Sequence, residues 1–191
     1  MRKIAVTGGL SCGKSTVCLF LKDLGAYVTS ADTIVHELLS SDTEIGKQVV
    51  HLLGPDIYTK GQIDRKKISE IVFSDQAKLE ALEAILHPAV EKEIVRRYDQ
   101  VKNDSSYTFF AAEIPLLYEI GLEKLFDAVI TVSADRDVAL SRSHLRKKDF
   151  EKRMNHQKTI LEKQAKADFV IINNGDLATL KKTVANIIQQ L

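Results

Sequence analysis

Apolar positions along the chain fall into two rhythms. Residues 2–7 (Arg-Lys-Ile-Ala-Val-Thr) are rich in β-branched side chains and read as a short strand. A glycine-rich turn from Gly8 to Gly13 follows. Val17, Phe20, Leu21 and Leu24 then recur at helical spacing over 14–24, and Gly25 closes that helix. Ala26–Thr29 reads as a second strand. Strand, loop, helix, strand is the opening of an α/β protein with a parallel sheet. Residues 33–102 carry few strand signals. Ile45, Val49, Leu52 and Leu53 form one helical stripe, closed by Gly54-Pro55. A turn over Thr59–Gln62 leads to Asp64, an N-cap for a helix carrying Ile68, Ile71, Val72 and Phe73. A third helix carries Leu79, Leu82 and Leu86. Pro88 is expected to interrupt it, because proline lacks an N–H and restricts His87 before it. A fourth then carries Val90, Ile94, Val95 and Tyr98. About 70 residues exceed what a single crossover between parallel strands needs, so this block reads as a helical insertion. Strands return at Tyr107–Ala112, Ala128–Val132 and Phe169–Ile172. A polar helical segment, 135–166, separates the last two, and a helix over Asp176–Leu191 ends the chain.

Composition narrows the class. The chain has 191 residues, enough for one domain or one domain with an insertion. Hydrophobic residues make up 45% and charged residues 28%, which excludes global disorder. The net charge of +1 argues against a general nucleic-acid binder. No apolar run is long enough to cross a bilayer, and the basic start at Arg2-Lys3 gives way to glycines and Lys14 too soon for a signal peptide. Cys12 and Cys18 form neither a zinc spacing nor a disulfide framework. The expectation is a cytoplasmic protein with neither a nucleic-acid nor a membrane partner.

Gly8-Gly9-Leu10-Ser11-Cys12-Gly13-Lys14-Ser15 fits the pattern G-x-x-x-x-G-K-[ST], between a strand and a helix. Glycines let backbone N–H groups converge on phosphate oxygens, and a helix N-terminus adds partial positive charge. Lys14 is expected to reach the β/γ-phosphates of a nucleotide, and the Ser15 hydroxyl to sit on Mg²⁺. This sets the superclass, a P-loop NTPase or kinase, and leaves the acceptor open.

Other residues bear on the acceptor. Asp32 follows the second strand, where loops line the crevice of an open α/β sheet. It is either a carboxylate that takes a proton from an attacking hydroxyl or an N-cap for a helix over 33–40. His87-Pro88 is either structural or turned to a ligand. Glu113 follows the third strand, as a Mg²⁺ carboxylate acting through water or as a cap for a helix that Pro115 starts. From Arg142 to Lys158 there are seven basic and two acidic residues: Arg142, Arg146, Lys147, Lys148, Lys152, Arg153 and Lys158 against Asp149 and Glu151. This is a solvated face, an RNA-binding face poor in aromatics, or a flap that closes over a transferring phosphate. Arg142 and Arg146 are spaced to share a helix face.

With these residues in view, the whole chain resembles the dephospho-CoA kinases. The resemblance runs through Thr7–Thr16, Ala31-Asp32, Leu53–Asp56, Gly61–Arg65, Ile71–Phe73, Leu86–Pro88, Ile114–Glu119 and Gly121-Leu122. It continues through Arg142, Arg146, Arg153, Gln157, Lys163, Ala167-Asp168 and Asn173–Gly175. The Ala-Asp, His-Pro and Pro-Leu-Leu blocks in this order are far more specific than the phosphate loop alone. The chain departs from the usual family pattern at Ser11-Cys12, Ser30, Glu91, Glu113 and Ile172.

The resemblance implies an α/β three-layer P-loop NTPase fold with a five-stranded parallel sheet. It implies a core of 1–32, 106–138 and 167–191, a helical substrate-binding insertion over 33–105 and a lid over 139–166. The implied reaction passes a phosphoryl group from ATP, with Mg²⁺, to the 3′-hydroxyl of the ribose of dephospho-CoA. Gly8, Gly9, Ser11, Cys12, Gly13, Lys14, Ser15 and Thr16 would hold ATP. Asn173 and Gly175 would lie near its adenine, and Arg142 and Arg146 would be lid arginines. Asp32 would be the base or orienter of the hydroxyl, with Arg65, His87 and Leu116 on the substrate. The chain is expected to be a monomer or weak homo-oligomer. Cys12 has two readings, an activated thiol protected by ATP or an inert small residue.

Overall fold

A computed structural model describes the chain except Ser41, Leu145 and His156; of Lys148, Lys152, Arg153 and Asn155 it describes the backbone alone. The chain divides into two compact units, one of Met1–Ser30 with Tyr98–Leu191 and one of Ala31–Arg97.

The first unit is built on a parallel sheet. Its strands are β1 (Arg2–Gly8), β2 (Ala26–Ser30), β5 (Phe109–Glu113), β6 (Ala128–Ser133) and β7 (Phe169–Ile172), in the order β2-β5-β1-β6-β7. All four pairings are parallel. β1 sits at the centre and is buried along most of its length, so it is apolar on both faces rather than alternating. Ile4, Val6, Ile130, Val132 and Ile171 point to one face. There they form a core with Val17, Cys18 and Leu21 of α1 (Lys14–Asp23) and with Leu180, Val184 and Ile187 of α9 (Leu177–Ile188). Thr131, of opposite parity, donates its hydroxyl to the Lys163 carbonyl of α8 (Ile160–Ala165) on the other face. The result is three layers, helix, sheet and helix.

Between β6 and β7 the chain forms α6 (Arg136–Arg142), α7 (Lys147–Asn155) and α8. The single helical segment expected over 135–166 is therefore interrupted twice. Thr159 starts α8 with a capping box, its hydroxyl accepting from the Glu162 N–H while the Glu162 carboxylate accepts from the Thr159 N–H. Phe150 fixes α7, at 2% exposure within the core.

The second unit holds α2 (Ala31–Leu38), α3 (Glu44–Leu53), α4 (Arg65–Val72) and most of α5 (Gln76–Val101). Its core joins Leu39, Val49, Ile57, Ile68, Val72 and Leu82. Asp64 caps α4 by accepting from the Lys66 N–H at 2.9 Å. Two expectations are corrected in this half of the sequence, and the expected turn over Thr59–Gln62 gains a strand on either side. Pro88 does not end a helix, because α5 runs through it for 26 residues. Pro88 and Ala84, whose carbonyl loses its partner, are both exposed, so water takes the missing bond. The turn at Lys60-Gly61 belongs to a small hairpin, β3 (Tyr58–Thr59) with β4 (Gln62–Ile63), both turn residues at positive φ. α2 already begins at Ala31, so Asp32 lies in its first turn rather than at its cap.

Candidate active site

β1 ends in the glycine loop, and the backbone there leaves no freedom. Gly8 has φ +138°, and a Cβ on it would lie 1.9 Å from the Val132 carbonyl oxygen. The Gly9 N–H donates to that oxygen at 3.2 Å, so the loop leaves the sheet pressed against β6. Gly13, at φ +96°, is the residue before α1 and makes no side-chain cap. Asn173, just past β7, braces the loop: its amide donates to the Cys12 carbonyl at 2.9 Å, and its N–H to the Ser133 carbonyl at 2.7 Å. The first turn of α1 carries no acidic residue. The positive end of its dipole is thus left for an external anion. Lys14 is only 8% exposed, and its ammonium donates to the carbonyls of Gly9 at 2.7 Å and Gly8 at 3.4 Å. The charge therefore sits inside the curve of the loop.

Ser15 and Glu113, both expected at magnesium, are brought together. The Ser15 hydroxyl donates to Glu113 Oε1 at 3.0 Å. Glu113 is the last residue of β5, in register with Val6 on one side and Ser30 on the other. Mg²⁺ is usually held by one or two protein oxygens, with waters and substrate phosphates completing the shell. Two hard oxygen donors beside the phosphate loop fit that ion. The helix expected to start at Pro115 is absent. Residues 115–121 form turns, and only a short 3₁₀ turn, Leu122–Leu125, follows. Leu116 is half-buried in those turns.

Of the two readings of Cys12, the geometry supports the inert one. It is 4% exposed, its Sγ lies 3.6 Å from the Leu10 carbonyl, and burial pushes the thiol above its ordinary pKa despite the Lys14 charge. The side chain packs into the core of the sheet unit. Burial and the nearby Glu113 carboxylate raise Cys18 as well.

An open cleft of about 690 Å³ lies beside the loop. It is lined by Gly13, Thr16, Arg142, Asn173 and Gly175, all five expected from the sequence. The start of α9, Asp176 to Ala178, completes it and was not foreseen. Its signal was available: Asp176 caps α9 through the Thr179 N–H, and Leu177 next to it is exposed. Arg142, the last residue of α6, donates to the carbonyls of Asn173 at 2.7 Å and Gly175 at 3.3 Å. These acceptors are neutral, so the guanidinium keeps its charge, with the Asp176 carboxylate on the same cleft. Arg146 does not join it there. α6 ends at Arg142, the two arginines share no helix, and Arg146 is 89% exposed with its Nε on Asp149 at 2.9 Å. The side chains of Lys148, Lys152 and Arg153 lie outside the described residues. In the helical unit, Asp32 is exposed, Arg65 is the exposed first residue of α4, and His87 is half-buried within α5.

A parallel sheet whose central strand runs into a glycine loop, with a lysine inside the loop and a serine opening the helix after it, is the architecture of the P-loop kinases. Likeness at the level of the fold extends to the shikimate kinase of Aquifex aeolicus, with a TM-score of 0.54 at 14% identity. The dephospho-CoA kinase family model matches residues 2–179, and the chain belongs to that family. A dephospho-CoA kinase of Protochlamydia amoebophila is 47% identical across the whole chain and 97% of its own length. One from Aquifex aeolicus is 40% identical, again across the whole chain and 98% of its own length. The solved dephospho-CoA kinase from Campylobacter jejuni superposes with a TM-score of 0.73 at 30% identity, covering 98% of this chain and 96% of that one.

Proposed function

We propose that this chain transfers the γ-phosphoryl group of ATP to the 3′-hydroxyl of the ribose of dephospho-CoA, giving coenzyme A and ADP. The observation that carries the reading is the phosphate loop with Lys14 buried inside it and Ser15 paired to Glu113, in a chain of this family. Phosphoryl transfer asks a protein mainly for positioning and charge. The loop N–H groups and the start of α1 bind the phosphates. Lys14 exchanges its two loop carbonyls for β/γ-phosphate oxygens. Ser15 and Glu113 would hold Mg²⁺, which neutralises charge on those phosphates when bound. Arg142, with Asn173 and Gly175, holds the nucleotide in the cleft. Asp32 orients the ribose hydroxyl and takes its proton as the oxygen bonds to phosphorus and the bond to ADP breaks. Arg65, His87 and Leu116 bind the rest of the acceptor.

The lid reading, 139–166, has two buried anchors: Phe150 of α7 is 2% exposed and Lys163 of α8 is 1% exposed. Closure over the phosphates, which keeps water out, then falls to exposed side chains of this stretch, Arg146 among them. Among the described residues no helix is long and apolar enough to cross a membrane. A cytoplasmic enzyme, monomeric or weakly associated and acting on a small molecule, is consistent with this.

The deciding experiment measures ADP release from ATP–Mg²⁺ with dephospho-CoA against a panel of nucleosides and nucleoside monophosphates. Release dependent on dephospho-CoA, with coenzyme A as product, is expected. Release with a nucleotide instead overturns the acceptor, and release without any acceptor overturns the kinase reading. Asp32→Asn is expected to lower turnover by about 10²–10⁴ while leaving ATP affinity within about twofold. Near-normal turnover in that variant would remove Asp32 from its role.

A further inference from the structure

One buried cation ties together three parts of the sheet unit. The Lys163 ammonium, on α8, donates to the Pro115 carbonyl at 2.7 Å and to Glu119 Oε1 at 2.8 Å. The same Glu119 oxygen accepts the backbone N–H of Lys158 at 2.8 Å, just ahead of α8. The Pro115 carbonyl also accepts the Thr7 hydroxyl at 3.3 Å, one residue before the phosphate loop. A single carbonyl is thus shared by the strand that launches the loop and by α8. Glu113 lies two residues before that carbonyl, and Leu116 follows it.

Stability alone is a poor account of this arrangement. A buried ion pair is often no better than apolar side chains of similar size, because both charges lose their water. Here the pair is also incompletely satisfied, since Glu119 Oε2 is buried with no hydrogen-bond partner among the described residues. What the pair provides is direction. It fixes the turns after β5 at both ends, where no helix holds them.

We infer that Lys163 and Glu119 are positioning residues for phosphoryl transfer. They hold the 113–119 segment in register with the phosphate loop, so that Glu113 meets Ser15 and Leu116 keeps its place. They also anchor the far end of the 143–158 segment through the Lys158 N–H. Neither residue lines the nucleotide cleft. The inference rests on the kinase reading above for the roles of Glu113 and Leu116.

The test removes both charges at once, with Lys163→Met and Glu119→Leu in one chain, since the double replacement leaves no orphaned charge. Three readouts are taken on the full chain: thermal unfolding, amide hydrogen exchange over 116–121, and ATP affinity with and without Mg²⁺. The expected result is a melting temperature within a few degrees of the parent and exchange in 116–121 about tenfold faster. The gain in ATP affinity that Mg²⁺ confers is expected to fall about fivefold. A clamp that serves stability alone would move the melting temperature and leave the Mg²⁺ dependence within twofold, and that result overturns the inference. If that variant does not fold, Lys163→Met with Glu119→Gln carries the same test. The amide oxygen still accepts from the Lys158 N–H and no buried charge remains, but both bonds of the ammonium are lost, so an unchanged Mg²⁺ dependence there overturns the inference equally. No readout requires the acceptor, so a parent chain that failed to phosphorylate dephospho-CoA would refute the acceptor and leave this question decided.

Discussion

The phosphate loop and the stretch from α6 to α8 both gather positive charge, by opposite means. In the loop the charge comes from backbone N–H groups and one lysine that is almost buried. Its shape is fixed by Gly8 and Gly13 at positive φ and by the Asn173 amide. From α6 to α8 the charge sits on side chains, on helices of 7, 9 and 6 residues. Helices that short are marginal on their own and depend on tertiary anchors. Here Phe150 and Lys163 are such anchors, while Arg146 stands in solvent. A site built from backbone is preformed and intolerant of change. A site built from side chains on short helices can move and survives substitution.

The sharpest way to break that contrast is to remove one charge from each region. Lys14→Met is expected to lower kcat by about 10²–10³, because the lost ammonium acts where water is excluded. Arg146→Met is expected to cost no more than about tenfold, since an exposed arginine acts only when its segment closes. Steady-state ADP release at saturating ATP compares the two. A larger loss at Arg146 would mean that the lid, and not the loop, carries the electrostatic work.

The same contrast explains what could be read in advance. The loop was legible because every requirement falls on neighbouring residues: glycines for φ, a lysine and a serine opening a helix. The five strands were legible from β-branched runs for the same reason. The breaks after Arg142 and before Thr159 depend on where Phe150 and Lys163 are buried, which periodicity does not reveal. Thr159 and Glu162 nevertheless carried a capping box in plain sight. Pro88 misled because the rule against proline assumes a desolvated carbonyl, and Ala84 faces water. Pro115 misled because a residue suited to start a helix does not make one. The segment after it is shaped by Lys163, 48 positions further along the chain. The pairing of Ser15 with Glu113 spans 98 positions; the sequence points to each residue separately, Ser15 from the loop pattern and Glu113 from its place after the third strand, and not to their contact.

A smaller effect probes the backbone side of the comparison. Gly13→Ala places a Cβ 2.4 Å from the Asn173 amide nitrogen, at φ +96°. The left-handed backbone alone costs about 1–2 kcal/mol for a residue with a side chain. Asn173 must also give up its bond to the Cys12 carbonyl. ATP affinity, read by titration calorimetry, is expected to fall about 10–100-fold with the fold retained. Unchanged affinity would show that the loop is less rigid than its glycines imply.

The mildest effect is expected at Cys12, whose side chain is buried in the core. Burial holds the Cys12 thiol in its protonated form at neutral pH, and only the thiolate attacks an alkylating agent. Iodoacetamide at pH 7.5 is therefore expected to modify Cys12 more than about tenfold slower than it modifies the unfolded chain. Raising the pH speeds the reaction, since the folded-state pKa is raised and the thiolate appears only as pH climbs toward it. ATP is expected to add little protection, because the sulfur is already buried in the core. Cys12→Ser keeps a donor of similar size for the Leu10 carbonyl, and activity within about threefold of the parent is expected. Fast alkylation that ATP suppresses would place the thiol on the phosphate side. The loop would then open in solution, and the division between a preformed backbone site and a movable side-chain site would fail at its firmer half.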